Sequence, residues 1–206
     1  MFVQIWKKTD NYCVSYIEAI LNVACQSPTM LYLTSIDIQV GKDCCAQIVS
    51  TLCNDDIEEA IHSPQRSVDW EKKRKYRITG SRCYEIYTYS KDDWETKSIK
   101  YFNPIQINNK YIKHGLKYDS SARDIFVKIS GMTVVECGLV ISSANRWLGY
   151  SPDGIIFFKD NPLYLLEIKC IFEGKTKTIL EAIKSAKYVV EENGQYHLKK
   201  KHKYYG

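Results

Sequence analysis

Two short apolar segments, Gly154–Phe158 and residues 163–169, flank the tetrapeptide Lys159-Asp160-Asn161-Pro162, and no other feature restricts this chain as much. Asp, Asn and Pro between two β-rich runs are a strong turn signal, so the segments are expected to pair as an antiparallel hairpin. Helical patterns lie on both sides. Over residues 109–129, Ile112, Leu116, Ala122, Phe126 and Ile129 recur at spacings of three to six, which predicts a long helix with a core-facing stripe. A further β-rich segment, 133–141, follows it, and 176–186 reads as a second helix. Helix, three strands, helix implies an α/β sandwich.

A chain of 206 residues that is 45% hydrophobic can bury one core and carry an appendage. Ser63-Pro64 marks the expected boundary. Before it, residues 1–64 hold two helical candidates, 12–25 and 44–61, and are read as an extension of unknown role. After it, residues 65–206 form the core. This core opens on a charged stretch, 68–77, in which Trp70 reads as a core or helix-packing aromatic. Ser81 is expected to cap a helix running through Tyr84 to Tyr87. The end of the chain reads as short strands or loop with a basic tail.

Several classes fall away on composition. The eight cysteines show no C-x2-C or C-x4-C spacing, and the chain is not a small secreted scaffold, so they read as thiols of a reducing compartment rather than disulfides or a zinc site. No apolar run approaches the roughly 20 residues that span a bilayer. A soluble intracellular protein is expected, with no membrane partner, and the sequence does not separate nucleus from cytoplasm. The net charge of +5 permits an anionic partner without demanding one. The basic clusters, Lys72 to Arg77 and Lys199 to Lys203, read equally well as solvated faces.

Chemistry concentrates on the hairpin. Side chains two apart on a strand share a face, so Glu167 and Lys169 project together while Ile168 points the other way. If Phe158 pairs with Leu163, counting back brings Asp153 close to Ile168 and hence beside Glu167 and Lys169. Two such carboxylates repel unless a cation or proton lies between them. Oxygen ligands favour a hard ion such as Mg²⁺, with Mn²⁺ as the alternative. A surface hairpin with an ordinary Glu-Lys pair satisfies the same spacing. Asp119 falls in the apolar stripe of the long helix, where a carboxylate is costly unless it is paired or bound to metal; a place at the stripe's edge is the other reading.

The combination of motifs is more specific than any one of them. Ser151-Pro152-Asp153-Gly154, followed by Leu166-Glu167-Ile168-Lys169-Cys170, resembles the active-site segment of the lambda-exonuclease and YqaJ-like viral recombinase family, a branch of the PD-(D/E)XK nucleases. Trp70-Glu71-Lys72-Lys73-Arg74, continuing to Ile78-Thr79-Gly80-Ser81, is similar to that family's W-x3-R-x3-I-T-A/G-S stretch. Between them, Gly115 to Arg123 resembles its G-x3-E-x2-A-R helix, with Asp119 in place of the glutamate.

The resemblance implies an α/β restriction-endonuclease-like core, a mixed sheet flanked by helices. It makes Asp153, Glu167 and Lys169 catalytic. Asp153, Glu167, the Ile168 carbonyl and Asp119 become metal ligands, with Asp119, one methylene short, reaching the metal through water. Arg74, Ser81 and Ser151 become ligands of a terminal 5′ phosphate. The implied function is a metal-dependent deoxyribonuclease, a 5′-to-3′ exonuclease acting on linear duplex DNA with 5′-phosphate ends in recombination or repair. Ring-shaped trimers among relatives extend the expectation to a homo-oligomer. Family members continue past their Lys-His-x-Tyr-Tyr stretch into a helix with a Q-x-Q motif. Because this chain stops at Gly206, a truncated core lacking its last helix is expected. The rival readings are a nuclease-derived DNA-binding protein with weak or no catalysis, and an endonuclease or single-strand nuclease on the same fold.

Overall fold

The computed structural model describes residues 43–105, 107–159 and 161–202. These fall into two compact units. One comprises 43–83 and Met132–Leu166; the other comprises Tyr84–Gly131 and residues from Glu167 onward. The helical candidate at 12–25 lies outside the described residues, as does the very end of the basic tail.

In the first unit, the helix expected over 44–61 is two helices, α1 (Asp43–Asn54) and α2 (Ile57–His62). The break is chemical. Asp56 accepts hydrogen bonds from the backbone N–H groups of Glu58 and Glu59 at 2.8 and 3.2 Å, so it starts a new helix as an N-cap rather than continuing the old one. Helix α2 then packs inward. Its Ala60 joins Trp70, Leu139 and Ile141, while Ile61 joins Cys137, Ile155 and Phe157. Residues on both sides of Ser63-Pro64 thus pack within this unit. Next come α3 (Val68–Arg74), capped by Ser67, and β1 (Ile78–Thr79).

The segment 133–141, expected as one strand, is split into β2 (Thr133–Val135) and β3 (Val140–Ile141), which join different sheets. The chain turns away at Gly138 and Leu139, whose backbone N–H groups bond to the carbonyls of Ile61 and Ala60 at 2.7 and 2.9 Å. Strand β4 (Leu148–Tyr150) is the centre of a mixed sheet, parallel to β1 and antiparallel to β3. Strand β5 (Gly154–Phe158) is the centre of an antiparallel one, between β2 and β6 (Asn161–Leu166). Its first four residues are buried, as its unbroken apolar run requires. Pro162 is tolerated because β6 is an edge strand.

The hairpin forms, but tighter than expected. Phe158 pairs with Asn161 and Phe157 with Pro162, a bulge follows between Ile156 and Phe157, and the last pair is Gly154 with Leu166. Asn161 and Pro162 belong to the ladder instead of the turn, with Lys159 turning the chain at a φ of 48°. That shifts the register by two from the Phe158–Leu163 count at the tip and, past the bulge, by one from Ile156 to Gly154.

The second unit contains α4 (Gly80–Tyr87) for all but its first turn, α5 (Trp94–Phe102) and α6 (Lys110–Ser130). Helix α4 begins two residues earlier than a Ser81 cap requires, so Ser81 lies in its first turn and does not cap it. Asn109 caps α6 through the N–H groups of Tyr111 and Ile112, both at 3.0 Å, and Gly131 ends it at a φ of 67°. The expected core-facing stripe holds only in part, with Ala122 and Phe126 half-buried. No residue of α6 is buried, and Ile112, Leu116 and Ile129 are exposed. Its half-buried line is His114, Asp119, Ala122, Arg123, Phe126 and Val127.

Beyond Glu167, a short 3₁₀ turn (Phe172–Lys175) precedes α7 (Ile179–Ser185). Helix α7 starts later than expected because Thr178 and Glu181 form a reciprocal capping box. Asn193-Gly194, both with positive φ, then close a hairpin of β7 (Val189–Glu192) and β8 (Gln195–Leu198). The fold is mixed α/β with small sheets. No helix among the described residues is long and apolar enough to cross a membrane.

Candidate active site

Parallel pairing organises the first half of the site. Strands β1 and β4 run side by side with Thr79 opposite Gly149, so Ser81 and Ser151, each two residues further on, leave the same carboxyl end of adjacent strands. That end of parallel strands is where open sheets commonly hold ligands. Close approach explains the glycine before Ser81. A Cβ on Gly80 would stand 2.6 Å from the Tyr150 ring, so a larger residue would push β4 away from the start of α4.

Arg74, at the end of α3, completes this group. Its Nη2 lies 3.5 Å from Ser81 Oγ, and its guanidinium sits 4.1 Å from the centre of the Trp70 ring. The indole Nε1 of Trp70 donates to Ser151 Oγ at 2.9 Å. Arg74 and Ser151 therefore both contact Trp70, and Ser81 joins them through Arg74. Trp70 is the core aromatic the sequence implies, and its hydrogen bond to Ser151 is an added role that no sequence signal announced.

Two side chains, Arg77 buried and Gln65 half-buried, hold the surrounding backbone. Arg77, with no exposed surface, donates to the carbonyls of Arg146 at 2.7 Å, Lys73, and Leu52 at 3.3 Å, and ion-pairs with Asp55 at 2.7 Å. Burial lowers its pKa, and Asp55 opposes that effect. Gln65 donates to the carbonyls of Pro152 at 2.7 Å and Cys137 at 2.9 Å, and so pins the Ser-Pro-Asp-Gly turn from its far side. Sequence reading missed Gln65 because nothing around it distinguishes it from a loop glutamine.

The carboxylates come next along the same hairpin. Asp153, half-buried, immediately precedes Gly154, and Glu167 immediately follows Leu166, so they flank the last paired residues of the two arms. Gly154 is required there, since a Cβ would come within 2.5 Å of Val134 Cγ1. Beyond the ladder, Ile168 is buried while Glu167 and Lys169 are partly exposed, as alternation demands. Lys169 Nζ ion-pairs with Glu167 and also lies 3.3 Å from the Ile168 carbonyl. Asp119 occupies the half-buried line of α6 beside Ala122 and Arg123.

Among the described residues no three His, Cys, Asp or Glu side chains group to hold an ion. The donors at issue, two carboxylates and the carbonyl of Ile168, are all hard oxygens. Oxygens of this type are the donors that Mg²⁺ takes, from one or two carboxylates and several waters. None of Cys53, Cys83, Cys137 and Cys170 forms a disulfide, and burial pushes Cys137 up to about 12.

Residues 69–204, about two-thirds of the chain, match the model of the YqaJ-like viral recombinase domain. The chain belongs to the YqaJ-like viral recombinase family. The match covers Arg74, Ser81, Asp119, Ser151, Asp153, Glu167, Ile168 and Lys169, while Gln65, α1 and α2 precede it. YqaJ-like membership assigns the chain a nuclease role in recombination, with DNA as its substrate. No curated protein matches the chain significantly.

Proposed function

We propose that this chain is a metal-dependent deoxyribonuclease that digests linear duplex DNA in the 5′-to-3′ direction from 5′-phosphorylated ends, on a restriction-endonuclease-like core. The observation that carries the reading is the chain of contacts Ser151–Trp70–Arg74–Ser81. A guanidinium and two hydroxyls at the carboxyl end of two parallel strands suit a terminal phosphate, which offers charge and several acceptor oxygens. Held there, a 5′ end would be anchored while the adjoining backbone meets the carboxylates of Asp153 and Glu167.

Those carboxylates, with the Ile168 carbonyl, would hold Mg²⁺ or Mn²⁺, and Asp119 would act through water. The ion, when bound, supplies acidification of a water and offsets charge on the phosphate. Lys169 is the chain's own group for orienting or deprotonating the attacking water. Its ion pair with Glu167 supports that role, because it keeps the ammonium beside a proposed ligand. A homo-oligomer, a trimer by family resemblance, belongs to the same proposal.

The second reading is a DNA-binding protein of weak or absent catalysis. It is favoured by Asp119, one methylene shorter than the glutamate of the family's helical motif. One assay separates the two. Purified chain is incubated with linear duplexes bearing or lacking 5′ phosphates, with Mg²⁺ or EDTA, beside Lys169→Ala and a circular substrate. The proposal requires nucleotide release from phosphorylated linear ends that stops in EDTA and in Lys169→Ala. Release that persists in either sinks the mechanism. Equal digestion of circles overturns the exonuclease claim, and binding without release supports the second reading.

A further inference from the structure

Trp70 is buried against Ala60, Leu139 and Ile141, yet its one polar atom and one face of its ring are directed at groups outside that cluster. An indole N–H can only donate, so in the 2.9 Å contact Ser151 Oγ is the acceptor. The hydroxyl hydrogen of Ser151 is then available to an acceptor and cannot be satisfied by the indole. Arginine likewise has donors only, so Ser81 Oγ accepts in its 3.5 Å contact with Arg74. Thr79 Oγ1, 3.4 Å from Ser81 Oγ, can take either sense. Beneath Arg74, the ring at 4.1 Å fixes the guanidinium plane by a cation–π contact.

We propose that Trp70 is a positioning residue that sets the hydrogen-bond polarity of this cluster, committing Ser151 to donate and Arg74 to one plane, so that the site selects a 5′-phosphate over a 5′-hydroxyl. The inference rests on the reading of Arg74, Ser81 and Ser151 as the terminal-phosphate site. A phosphate monoester near neutral pH presents several charged acceptor oxygens and matches a wall of donors. A hydroxyl can accept or donate and gains little from enforced donors.

The test uses the full chain in EDTA, which removes hydrolysis from the readout. Affinities for a one-ended hairpin duplex with a 5′-phosphate and with a 5′-hydroxyl are measured by fluorescence anisotropy, and their ratio is taken within each protein. That ratio cancels any loss of folded fraction. Trp70→Phe keeps a ring under Arg74 and deletes the donor, so the phosphate preference should fall about tenfold. Ser151→Ala should fall similarly, and the double variant should lose no more than either single one. A second measurement leaves the core untouched: in the unaltered chain the Trp70 indole N–H resonance should move on titration with inorganic phosphate, and Ser151→Ala should abolish the movement. A wild-type preference retained by Trp70→Phe, or an indole resonance indifferent to phosphate, overturns the role of Trp70 alone. No phosphate preference in the wild type overturns the phosphate-site reading and this inference with it.

Discussion

Arg77 in one unit and helix α6 in the other treat the interior in opposite ways. Arg77 is wholly buried, and its donors go to three backbone carbonyls and to Asp55. Helix α6 runs for 21 residues without burying one, leaving Leu116 and Ile129 exposed. The difference shows where positional accuracy is built. Arg74, Ser81 and Ser151 stand on short elements whose backbone is fixed by buried polar contacts. Asp119 stands, half-buried, on a helix none of whose residues is fully buried.

That contrast can be broken by mutation, and the largest effect should come from the buried pair. Asp55→Ala leaves the Arg77 charge without its partner and should cost about 3 kcal/mol in urea unfolding. A loss under about 1 kcal/mol would mean that the pair is not a structural anchor. Gly154→Ala should follow, at about 2 kcal/mol, because its Cβ meets Val134 and forces β2 and β5 apart. A neutral result would show that the hairpin yields where the close approach suggests it cannot.

Smaller effects belong to the other unit. Thr178→Ala removes the cap of α7 and should cost about 1 kcal/mol, read by circular dichroism melting. The sign of its pH dependence is fixed. Hydrogen bonds from the backbone N–H and hydroxyl of Thr178 hold the Glu181 carboxyl below its ordinary value. The stabilisation is present at neutral pH and is lost as pH falls through the depressed folded value. The difference between wild type and Thr178→Ala should therefore shrink on acidification, and a difference that grows contradicts the assignment. Last, Leu116→Ser on α6 should change stability by no more than about 0.5 kcal/mol. A loss comparable to that of Asp55→Ala would show that this face is covered in solution, and the contrast between the units would fail.

Legibility in the sequence followed the range of the interaction. The hairpin, α6 and the placing of Glu167 and Lys169 on one face rest on neighbours a few residues apart, and all are readable. The register is not, because a change of one or two residues depends on whether Asn161 and Pro162 turn or pair, and the strand edge decides that. Periodicity likewise identified α6 as a helix but could not say which line of it is half-buried. An amphipathic pattern states a preference, and burial needs a partner surface.

By itself, then, the sequence determined, through motif order, the family to which residues 69–204 belong. Tertiary structure alone decided what stands next to what. Ser81 and Ser151 share a strand end because β1 and β4 pair in parallel, 70 residues apart in number. Gln65 reaches Pro152, and Trp70 reaches Ser151, across separations of 87 and 81 residues. No local signal encodes such contacts, since a hydrogen bond between distant segments costs little to specify only after packing has already brought their backbones together.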